Sequence, residues 1–159
     1  MTGRARVVTV STRAAGGVYA DDAGPAVATV LTDAGFEVAG VTVVPDGLAE
    51  VAAAIIAACA DADLVVTNGG TGCTPRDVTP EATRDVIERD APGLAELLRA
   101  RGRDHTPMAV LSRGVAGVVG SCLVVNLPGS PAAVREGLKA LLPVLPHALA
   151  VLEGDTEHR

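Results

Sequence analysis

The stretch LVVTNGGTGCTPRDVTPEA, residues 64–82, decides the fold of this chain. Its apolar start, Leu64 to Val66, predicts a short buried strand. The glycine loop that follows, residues 69–72, contains three glycines, which take backbone conformations closed to other residues and let the main chain approach a ligand. Thr79-Pro80 then predicts a helix start, with a capping hydroxyl ahead of a proline at the first helical position.

The same stretch has the composition of an anion-binding site. Free backbone amides in a glycine turn and at a helix start can hold phosphate oxygens. Arg76 and Asp77 lie between them, the first suited to a phosphate and the second to a metal ion or a proton. The chain has neither a P-loop, which ends in Gly-Lys-Ser or Gly-Lys-Thr, nor a G-x-G-x-x-G dinucleotide motif. The pattern favours another kind of nucleotide site; the alternative is a turn that only reverses the chain.

Strand and helix patterns alternate along the chain. Strands are predicted at residues 6–10, 37–44, 64–67, 108–111 and 122–125. Helices are predicted at residues 25–34, 48–60 and 80–89, around 94–98, and from 131 to 142, where Pro143 and Pro146 must kink or restart the last one. This alternation predicts an α/β fold: a single domain over residues 1–159, with three αβα layers around a mostly parallel, open sheet.

Polar residues follow the predicted strands where ligands bind in such sheets, beyond the carboxyl ends. Ser11, Asp46 and Asn68 follow the first three strands, and Ser112 and Asn126 follow two later ones. We therefore expect these five residues to meet in one cleft. Neither serine has the His and Asp partners of a nucleophile.

Two aspartates are the candidate metal ligands. Asp46 can be the N-cap of the next helix, and Asp77 can bond its own turn, since both uses of aspartate are common. Their occurrence at neighbouring strand ends favours metal binding, because two carboxylates with phosphate oxygens and water suit Mg²⁺. Asp21 and Asp22 are expected in a solvated loop at a helix start, with a second metal contact as the alternative.

The remaining candidates also have ordinary alternatives. An arginine beside a glycine-rich anion-binding loop commonly binds phosphate, which favours this role for Arg76. The alternative is that Arg76 is only a surface charge. Arg13 and Arg113 are expected either at the surface or against an anionic substrate. Residues 126–131 form either a strand-to-helix turn or a second helix N-terminus for an anion.

Composition argues against several classes of function. A net charge of −6 disfavours binding to polymeric nucleic acid or to an acidic membrane surface. Tyr19 and Phe36 are the only aromatic residues, so no aromatic platform for bases is expected. The longest apolar run, residues 51–60, is shorter than the roughly 20 residues that span a bilayer. Three cysteines without metal-ligand spacing are typical of a reduced compartment, so we expect a cytoplasmic protein.

The string GGTGCTPRDVTPEA, residues 69–82, is similar to the signature of a known family. It resembles the molybdenum cofactor biosynthesis family, the molybdopterin adenylyltransferases, which include the bacterial enzymes called MogA and MoaB and the G domain of gephyrin. Asn68 is one departure, because many relatives carry threonine there. Four further segments resemble loops of that family in the same order: residues 11–25, 43–46, 111–117 and 125–131.

The resemblance implies an adenylyltransferase that depends on ATP and Mg²⁺. In such an enzyme the terminal phosphate of molybdopterin attacks the α-phosphorus of ATP, which gives adenylylated molybdopterin and pyrophosphate. A separate protein then inserts molybdenum, and the family implies a homotrimer. By the same resemblance Asp46 and Asp77 are catalytic and position Mg²⁺. The nucleotide and pterin would be bound by Ser11, Asn68, Gly69, Gly70, Thr71, Gly72, Arg76, Ser112, Arg113, Asn126, Pro128, Gly129 and Ser130.

Two other interpretations remain open. One is a non-catalytic relative that binds molybdopterin or serves as a scaffold, as this domain does in gephyrin; the presence of both Asp46 and Asp77 favours catalysis. The other is a different nucleotide enzyme on the same fold, such as the related domain of competence-damage proteins. The length of 159 residues, without a second domain, counts against that. Which end of the cleft holds adenine stays open.

Overall fold

A six-stranded sheet forms the centre of the molecule. The computed structural model describes residues 2–155, in which the strand order is β2-β1-β3-β6-β5-β4. The strands are β1 (Arg4–Val10), β2 (Glu37–Val44), β3 (Leu64–Asn68), β4 (Arg89–Asp90), β5 (Ala116–Val119) and β6 (Cys122–Leu127). β2, β1, β3 and β6 are mutually parallel, whereas β5 pairs antiparallel with both β6 and β4. The predicted mostly parallel α/β sheet is confirmed.

Helices cover both faces of this sheet. One face carries α2 (Ala23–Asp33), α5 (Pro92–Gly102), α6 (Pro131–Leu141) and α7 (Leu145–Leu152), and the other carries α3 (Leu48–Cys59) and α4 (Thr79–Val86). α1 (Thr12–Ala15) is a short turn after β1. None of the helices within residues 2–155 has the length and hydropathy to cross a membrane. The predicted three layers are therefore present.

The central strand β3 shows why the sequence folds in this way. All its residues are buried, and their side chains alternate between two apolar clusters, with Leu64 and Val66 on one face and Val65 on the other. A strand buried on both faces has a continuous apolar sequence, which is typical of parallel sheets covered by helices.

The predicted strand at residues 108–111 is wrong, because Pro107–Leu111 forms a 3-10 helix. Proline has no backbone N–H to give to a strand ladder. The Thr106 hydroxyl starts the helical turn by accepting a hydrogen bond from the Met108 amide at 3.2 Å. The three large apolar side chains of this helix are each more than half exposed, so they do not face the core.

β4 and β5 were not predicted. The predicted helix at residues 80–89 ends at Val86, and the chain then pairs with β5. Gly117 permits this close pairing, since a Cβ there would lie 2.6 Å from the Arg89 carbonyl oxygen. The restart of the last helix is confirmed: α6 ends at Leu141, and α7 begins with Pro146 in its first turn.

The carboxyl ends of the parallel strands lie at one edge of the sheet. β5 begins at that same edge, because Ala116 pairs with Val125 near the end of β6 and the strand then runs back. Residues 112–115 therefore reach the edge although a 3-10 helix, and not a strand, precedes them. The prediction that Ser112 follows a strand is wrong, but its loop still lies at the carboxyl edge of the sheet.

Candidate active site

Two cavities lie at this edge, and the glycine loop lines both. The acidic cavity, of about 340 Å³, is bordered by Gly69 and Gly70 and by four aspartates, Asp21, Asp22, Asp46 and Asp77. The apolar cavity, of about 720 Å³, is bordered by the other half of the loop and by residues of α5, α6 and the 3-10 helix, among them Thr71, Gly72, Leu98, Met108, Leu111 and Ala133. The five residues expected in one cleft are divided between the two cavities: Ser11, Asp46 and Asn68 line the acidic cavity, and Ser112 and Asn126 line the apolar one. Of the other predicted site residues, only the three arginines line neither cavity: Arg13, Arg76 and Arg113.

The glycine loop makes contacts that only glycine allows. Gly69 has a φ of +95°, and a Cβ there would lie 2.3 Å from the Val10 carbonyl oxygen. At Gly70, with a φ of +67°, a Cβ would lie 2.3 Å from the Thr79 hydroxyl. That hydroxyl donates to the Gly69 carbonyl at 2.9 Å, and Val78 is the N-cap of α4. The prediction that Thr79 caps α4 is therefore wrong, because its hydroxyl ties the helix back to the loop.

Asp46 faces the glycine loop from the segment after β2. Its Oδ2 accepts hydrogen bonds from the Thr12 amide at 3.1 Å and the Thr12 hydroxyl at 2.8 Å. A Cβ at Gly70 would lie 3.2 Å from its Oδ1, so that oxygen is next to the loop. The N-cap of α3 is Gly47, and no side-chain hydrogen bond caps the helix. The capping alternative for Asp46 is wrong, since α1 holds the carboxylate against the acidic cavity.

Asp77 borders the same cavity, and for this residue the turn interpretation is confirmed. Its Oδ2 accepts from the Thr74 amide at 2.9 Å, and its own amide donates to the Thr74 carbonyl at 3.1 Å. A Cβ at Gly72 would lie 2.9 Å from the same Oδ2. The strands ahead of Asp46 and Asp77 are not neighbours, because β1 lies between β2 and β3. The two loops instead approach each other across the end of β1.

The donors of the acidic cavity suit a hard divalent cation. In the part of the chain that the structure describes, no group of three or more His, Cys, Asp or Glu side chains could hold a metal ion by itself. Asp46 and Asp77 offer carboxylate oxygens, and neither imidazole nor thiolate lines this cavity. Mg²⁺ commonly takes one or two protein carboxylates and completes its shell with phosphate oxygens and water. The residues present therefore fit Mg²⁺ that enters with a polyphosphate.

A buried hydrogen-bond chain supports one wall of the acidic cavity. The Asn68 side-chain amide donates to Thr9 Oγ1 at 3.1 Å, and the Thr9 hydroxyl donates to Asp21 Oδ2 at 2.8 Å. The Gly24 amide donates to Asp21 Oδ1 at 2.9 Å. Both oxygens of Asp21 thus have protein donors, as expected at a helix start. The Asn68 side chain is only 1% exposed, so it braces the wall.

Tyr19 lines the acidic cavity but was not among the predicted site residues. The residue is 51% exposed, and its hydroxyl lies 2.9 Å from Ser11 Oγ. Ser11 in turn caps α1 by accepting from the Ala14 amide at 3.2 Å. An aromatic side chain does reach the site, contrary to the expectation from composition. The available signal was its place in the loop between β1 and α2, which parallel pairing brings to the carboxyl edge.

The loop after β6 lies against the glycine loop. A Cβ at Gly129 would lie 3.3 Å from the Gly69 Cα, and the Gly69 amide donates to the Leu127 carbonyl at 3.0 Å. Gly129 lines the acidic cavity, whereas Pro128 and Ser130 line the apolar one. The Ser130 hydroxyl caps α6. Like the glycine loop, this loop therefore borders both cavities.

Asn126 braces the wall of the apolar cavity from within. Its Nδ2 donates to the hydroxyls of Thr67 at 2.9 Å and Thr83 at 3.0 Å, and its Oδ1 accepts from the Val115 amide at 3.1 Å. The side chain is buried, so these bonds satisfy polar atoms that would otherwise be costly. Asn126 thereby joins β6 to β3, to α4 and to the segment before β5.

Arg113 forms hydrogen bonds to both ends of the segment that follows the glycine loop. Its Nε donates to the Gly72 carbonyl at 2.7 Å, its Nη2 donates to the Asp77 carbonyl at 2.6 Å, and its guanidinium pairs with Glu81 in the first turn of α4. The hydrogen bond from Arg113 holds the pKa of Glu81 below its usual value and raises the pKa of Arg113. Its side chain is therefore engaged with the protein and not with either cavity.

The other two candidate arginines, Arg13 and Arg76, are exposed and line neither cavity. Ser112 does line the apolar cavity, where Arg99 of α5 donates to the carbonyls of Ser112 at 3.3 Å and Gly114 at 2.8 Å. The basic residues of this cavity were not predicted, because they lie on α5, on α6 and in the turn before the 3-10 helix and not after strands. They are Arg99, Arg101, His105 and Arg135.

Residues 6–147 match the family model described as a probable molybdopterin binding domain. The chain is 44% identical over 151 residues to the molybdenum cofactor biosynthesis bifunctional protein of Synechococcus elongatus, which covers 94% of this chain and 47% of that protein. It thus spans about half the length of that relative. It is 38% identical over 153 residues to the molybdopterin adenylyltransferase of Helicobacter pylori, with coverage of 94% and 87%. The solved structure of the molybdopterin biosynthesis enzyme MoaB from Thermus thermophilus has a TM-score of 0.90 at 48% identity and covers 96% of this chain and 98% of that one.

Proposed function

Because this chain belongs to the molybdopterin-binding domain family of molybdenum cofactor biosynthesis, we propose that it is a molybdopterin adenylyltransferase. The reaction transfers AMP from ATP to the phosphate of molybdopterin and releases pyrophosphate. The observation that carries the proposal is the pair Asp46 and Asp77 beside a glycine loop that lines two cavities. Two anionic substrates need two adjacent sites, because holding them in line supplies much of the rate.

We assign the polyphosphate of ATP to the acidic cavity. Its four aspartates would repel a bare polyphosphate, so the nucleotide must enter with a divalent cation that the carboxylates attract. Gly69 and Gly70 let phosphate oxygens approach the backbone amides without a side chain in the way. Asp46 and Asp77 would hold Mg²⁺, since both border this loop.

We assign molybdopterin to the apolar cavity. Its volume of about 720 Å³ lies in the ordinary range for small-molecule sites, and its apolar side chains suit a fused heterocycle. Arg101 and Arg135 are exposed cations on its lining and can attract the phosphate of the pterin. The attacking phosphate then meets ATP at the glycine loop, the wall that both cavities share.

The chain contributes position and charge more than covalent chemistry. The glycine-loop amides hold the phosphate chain of ATP while an oxygen of the molybdopterin phosphate attacks the α-phosphorus. The new oxygen–phosphorus bond forms as the bond to the bridging oxygen breaks, and pyrophosphate leaves with that electron pair. When bound, Mg²⁺ neutralises charge on the phosphate oxygens. No side chain has to remove a proton, because the attacking phosphate is already largely ionised at neutral pH.

Pyrophosphate release tests this function. The purified chain with molybdopterin, ATP and MgCl₂ should release pyrophosphate in equal amount to adenylylated molybdopterin, with the product identified by mass spectrometry. Reactions without molybdopterin or with excess EDTA should release none. Molybdopterin binding without any pyrophosphate would instead identify a non-catalytic binding or scaffold protein.

We also propose that the chain acts as a homotrimer in the cytoplasm. Val110 of the 3-10 helix is exposed and does not line the apolar cavity, which supports its burial against another subunit. Cys59, Cys73 and Cys122 are free thiols, which supports a reduced compartment. The product carries a mixed phosphate anhydride, so we propose that a separate molybdenum-insertion protein consumes it by cleaving that bond.

A further inference from the structure

Arg113 connects the two ends of an otherwise exposed segment. Residues 73–76 between Gly72 and Asp77 are all exposed. The Arg113 guanidinium donates to the Gly72 carbonyl at 2.7 Å and to the Asp77 carbonyl at 2.6 Å, while its backbone amide donates to the Thr71 carbonyl at 2.8 Å. One residue thus closes the segment that carries the Asp77 carboxylate.

The same guanidinium is anchored on α4 by Glu81. Its Nη1 donates to Glu81 Oε1, and its Nη2 lies 3.5 Å from Glu81 Oε2. With the two carbonyl bonds, these contacts use four of the five N–H groups that arginine carries. The side chain lines neither cavity, so it has little left to offer a ligand.

We propose that Arg113, anchored by Glu81, is a positioning residue that fixes the Asp77 carboxylate and the glycine-loop carbonyls for the magnesium nucleotide. This inference rests on the proposed function. It replaces the expected contact between Arg113 and an anionic substrate with an indirect role. A planar fork can hold two carbonyls and a carboxylate at once, whereas the lysine ammonium is a single point charge. Lysine at this position should therefore leave the segment between Gly72 and Asp77 less ordered.

The structure also predicts that substitution of Arg113 should affect the binding of molybdopterin less than that of ATP. The loop that carries Arg113 borders the apolar cavity through Ser112 and Gly114, and Arg99 holds both of their carbonyls. The Thr71 contact uses the Arg113 backbone amide, which every substitution but proline keeps. Replacing the Arg113 side chain should therefore disturb the site of the magnesium nucleotide more than the site of molybdopterin.

Calorimetry of ATP binding at a series of Mg²⁺ concentrations tests the proposal without turnover. Arg113→Lys and Glu81→Gln should raise the Mg²⁺ concentration for half-maximal ATP binding by roughly tenfold, as is typical when an outer-shell partner of a metal ligand is lost. In pyrophosphate assays kcat should fall while the KM for molybdopterin stays within about twofold, because Arg99 still holds that wall.

Arg6→Lys is the matched control. Arg6 makes a comparable two-bond pair with Asp61, at 2.7 and 2.6 Å, but it lies in the first half of β1 and lines neither cavity. This variant should keep the wild-type Mg²⁺ dependence. Circular dichroism shows whether each variant is folded. If Arg113→Lys does not fold, the same measurements on Glu81→Gln test the proposal.

The outcomes separate the two proposals. A folded Arg113→Lys or Glu81→Gln chain with wild-type Mg²⁺ dependence and kcat overturns the positioning role and leaves the proposed function intact. A raised KM for molybdopterin with unchanged Mg²⁺ dependence also overturns it and makes Arg113 a substrate ligand. A wild-type chain that neither binds magnesium ATP nor releases pyrophosphate overturns both.

Discussion

At the residue scale, the Asp77 carboxylate has two roles: it stabilises its own turn and, in our proposal, it binds Mg²⁺. Its Oδ2 holds the Thr74 amide at 2.9 Å, and the group borders the acidic cavity. Asparagine in its place can still accept that hydrogen bond through its side-chain oxygen, but it has no negative charge. This substitution therefore separates the two roles.

Asp77→Asn should fold normally and lose most of its activity. We expect a melting temperature close to that of the wild type and a fall in adenylation of about 10²–10³-fold, the cost typical of losing one strong electrostatic group. Pyrophosphate release and thermal denaturation are the measurements. Asp85→Asn, at an exposed position of α4 that lines neither cavity, is the matched control. Near wild-type pyrophosphate release from a folded Asp77→Asn chain would contradict the metal assignment.

Asp46→Asn should lower adenylation to a similar extent. This substitution can also weaken the hydrogen bonds from the Thr12 amide and hydroxyl to the Asp46 carboxylate. The double variant Asp46→Asn with Asp77→Asn should lose less activity than the product of the two single losses, because both carboxylates act through one ion. Pyrophosphate release from the four proteins gives this double-mutant cycle. Strictly multiplicative losses would mean that the two carboxylates act independently.

Gly69→Ala should destabilise the fold. The backbone there has a φ of +95°, and the new Cβ would lie 2.3 Å from the Val10 carbonyl oxygen. We expect a loss of about 1–3 kcal/mol in the free energy of unfolding from backbone strain alone, and more from the clash with β1. Gly17→Ala isolates the strain, since its φ is +73° and nothing lies within 4 Å of the new Cβ. Equal shifts of the two urea midpoints would show that the clash is relieved without cost.

At the element scale, the parallel strands were predicted and the antiparallel edge was missed. β3 and β6 are buried throughout, so their sequences are continuous apolar runs that stand out from the loops. β5 has only four residues, one of them glycine, and its pairing with β6 supplies its order. The two-residue link between β5 and β6 begins at Gly120, with a φ of +59°. A Gly-Ser pair between two apolar runs was therefore a hairpin signal that the sequence argument did not use.

The residues of the candidate site also fall into a predictable group and a group that was missed. Residues at the carboxyl ends of parallel strands were predictable, because topology alone brings Ser11, Asp46 and Asn68 to one edge. Side chains that arrive from helices, such as Arg99, depend on packing that no local pattern encodes. Arg113 was located correctly in the chain, but its partner Glu81 lies 32 positions away in sequence. Only the folded structure reveals that contact.

The contact between α4 and Arg113 predicts a pH dependence of stability. Because Arg113 holds the pKa of Glu81 below its unfolded value, the contact contributes its full stability above that unfolded pKa. That contribution is lost as the pH falls through the lower, folded pKa. Glutamine mimics the protonated form, so the difference in free energy of unfolding between wild type and Glu81→Gln should be largest near neutral pH and vanish in strong acid. Urea titrations between pH 7 and pH 3 measure it, and a constant difference would contradict this account.

At the scale of the whole molecule, the surface retains apolar side chains that one sheet and its helices do not cover. Hydrophobic residues make up 48% of the chain. Met108, Val110 and Leu111 are exposed on a single 3-10 helix, where Met108 and Leu111 also line the apolar cavity and Val110 does not. Val18, next to Tyr19 in the sequence, is exposed as well. Scattered apolar residues are normal on protein surfaces, but several on one short segment indicate a contact surface.

The chain should therefore form a stable oligomer, and the family resemblance makes three the expected number of copies. Light scattering coupled to size exclusion should give a mass three times that of one chain at micromolar concentration. Burial of apolar side chains is less sensitive to salt than a contact between charged groups, so the mass should persist at high ionic strength. Val110→Asp places a charge on the exposed 3-10 helix and should weaken the assembly if that helix lies in the interface, whereas Ile56→Asp tests the exposed side of α3 in the same way. A monomer at micromolar concentration would contradict the trimer, and the surface that breaks the assembly identifies where the subunits meet.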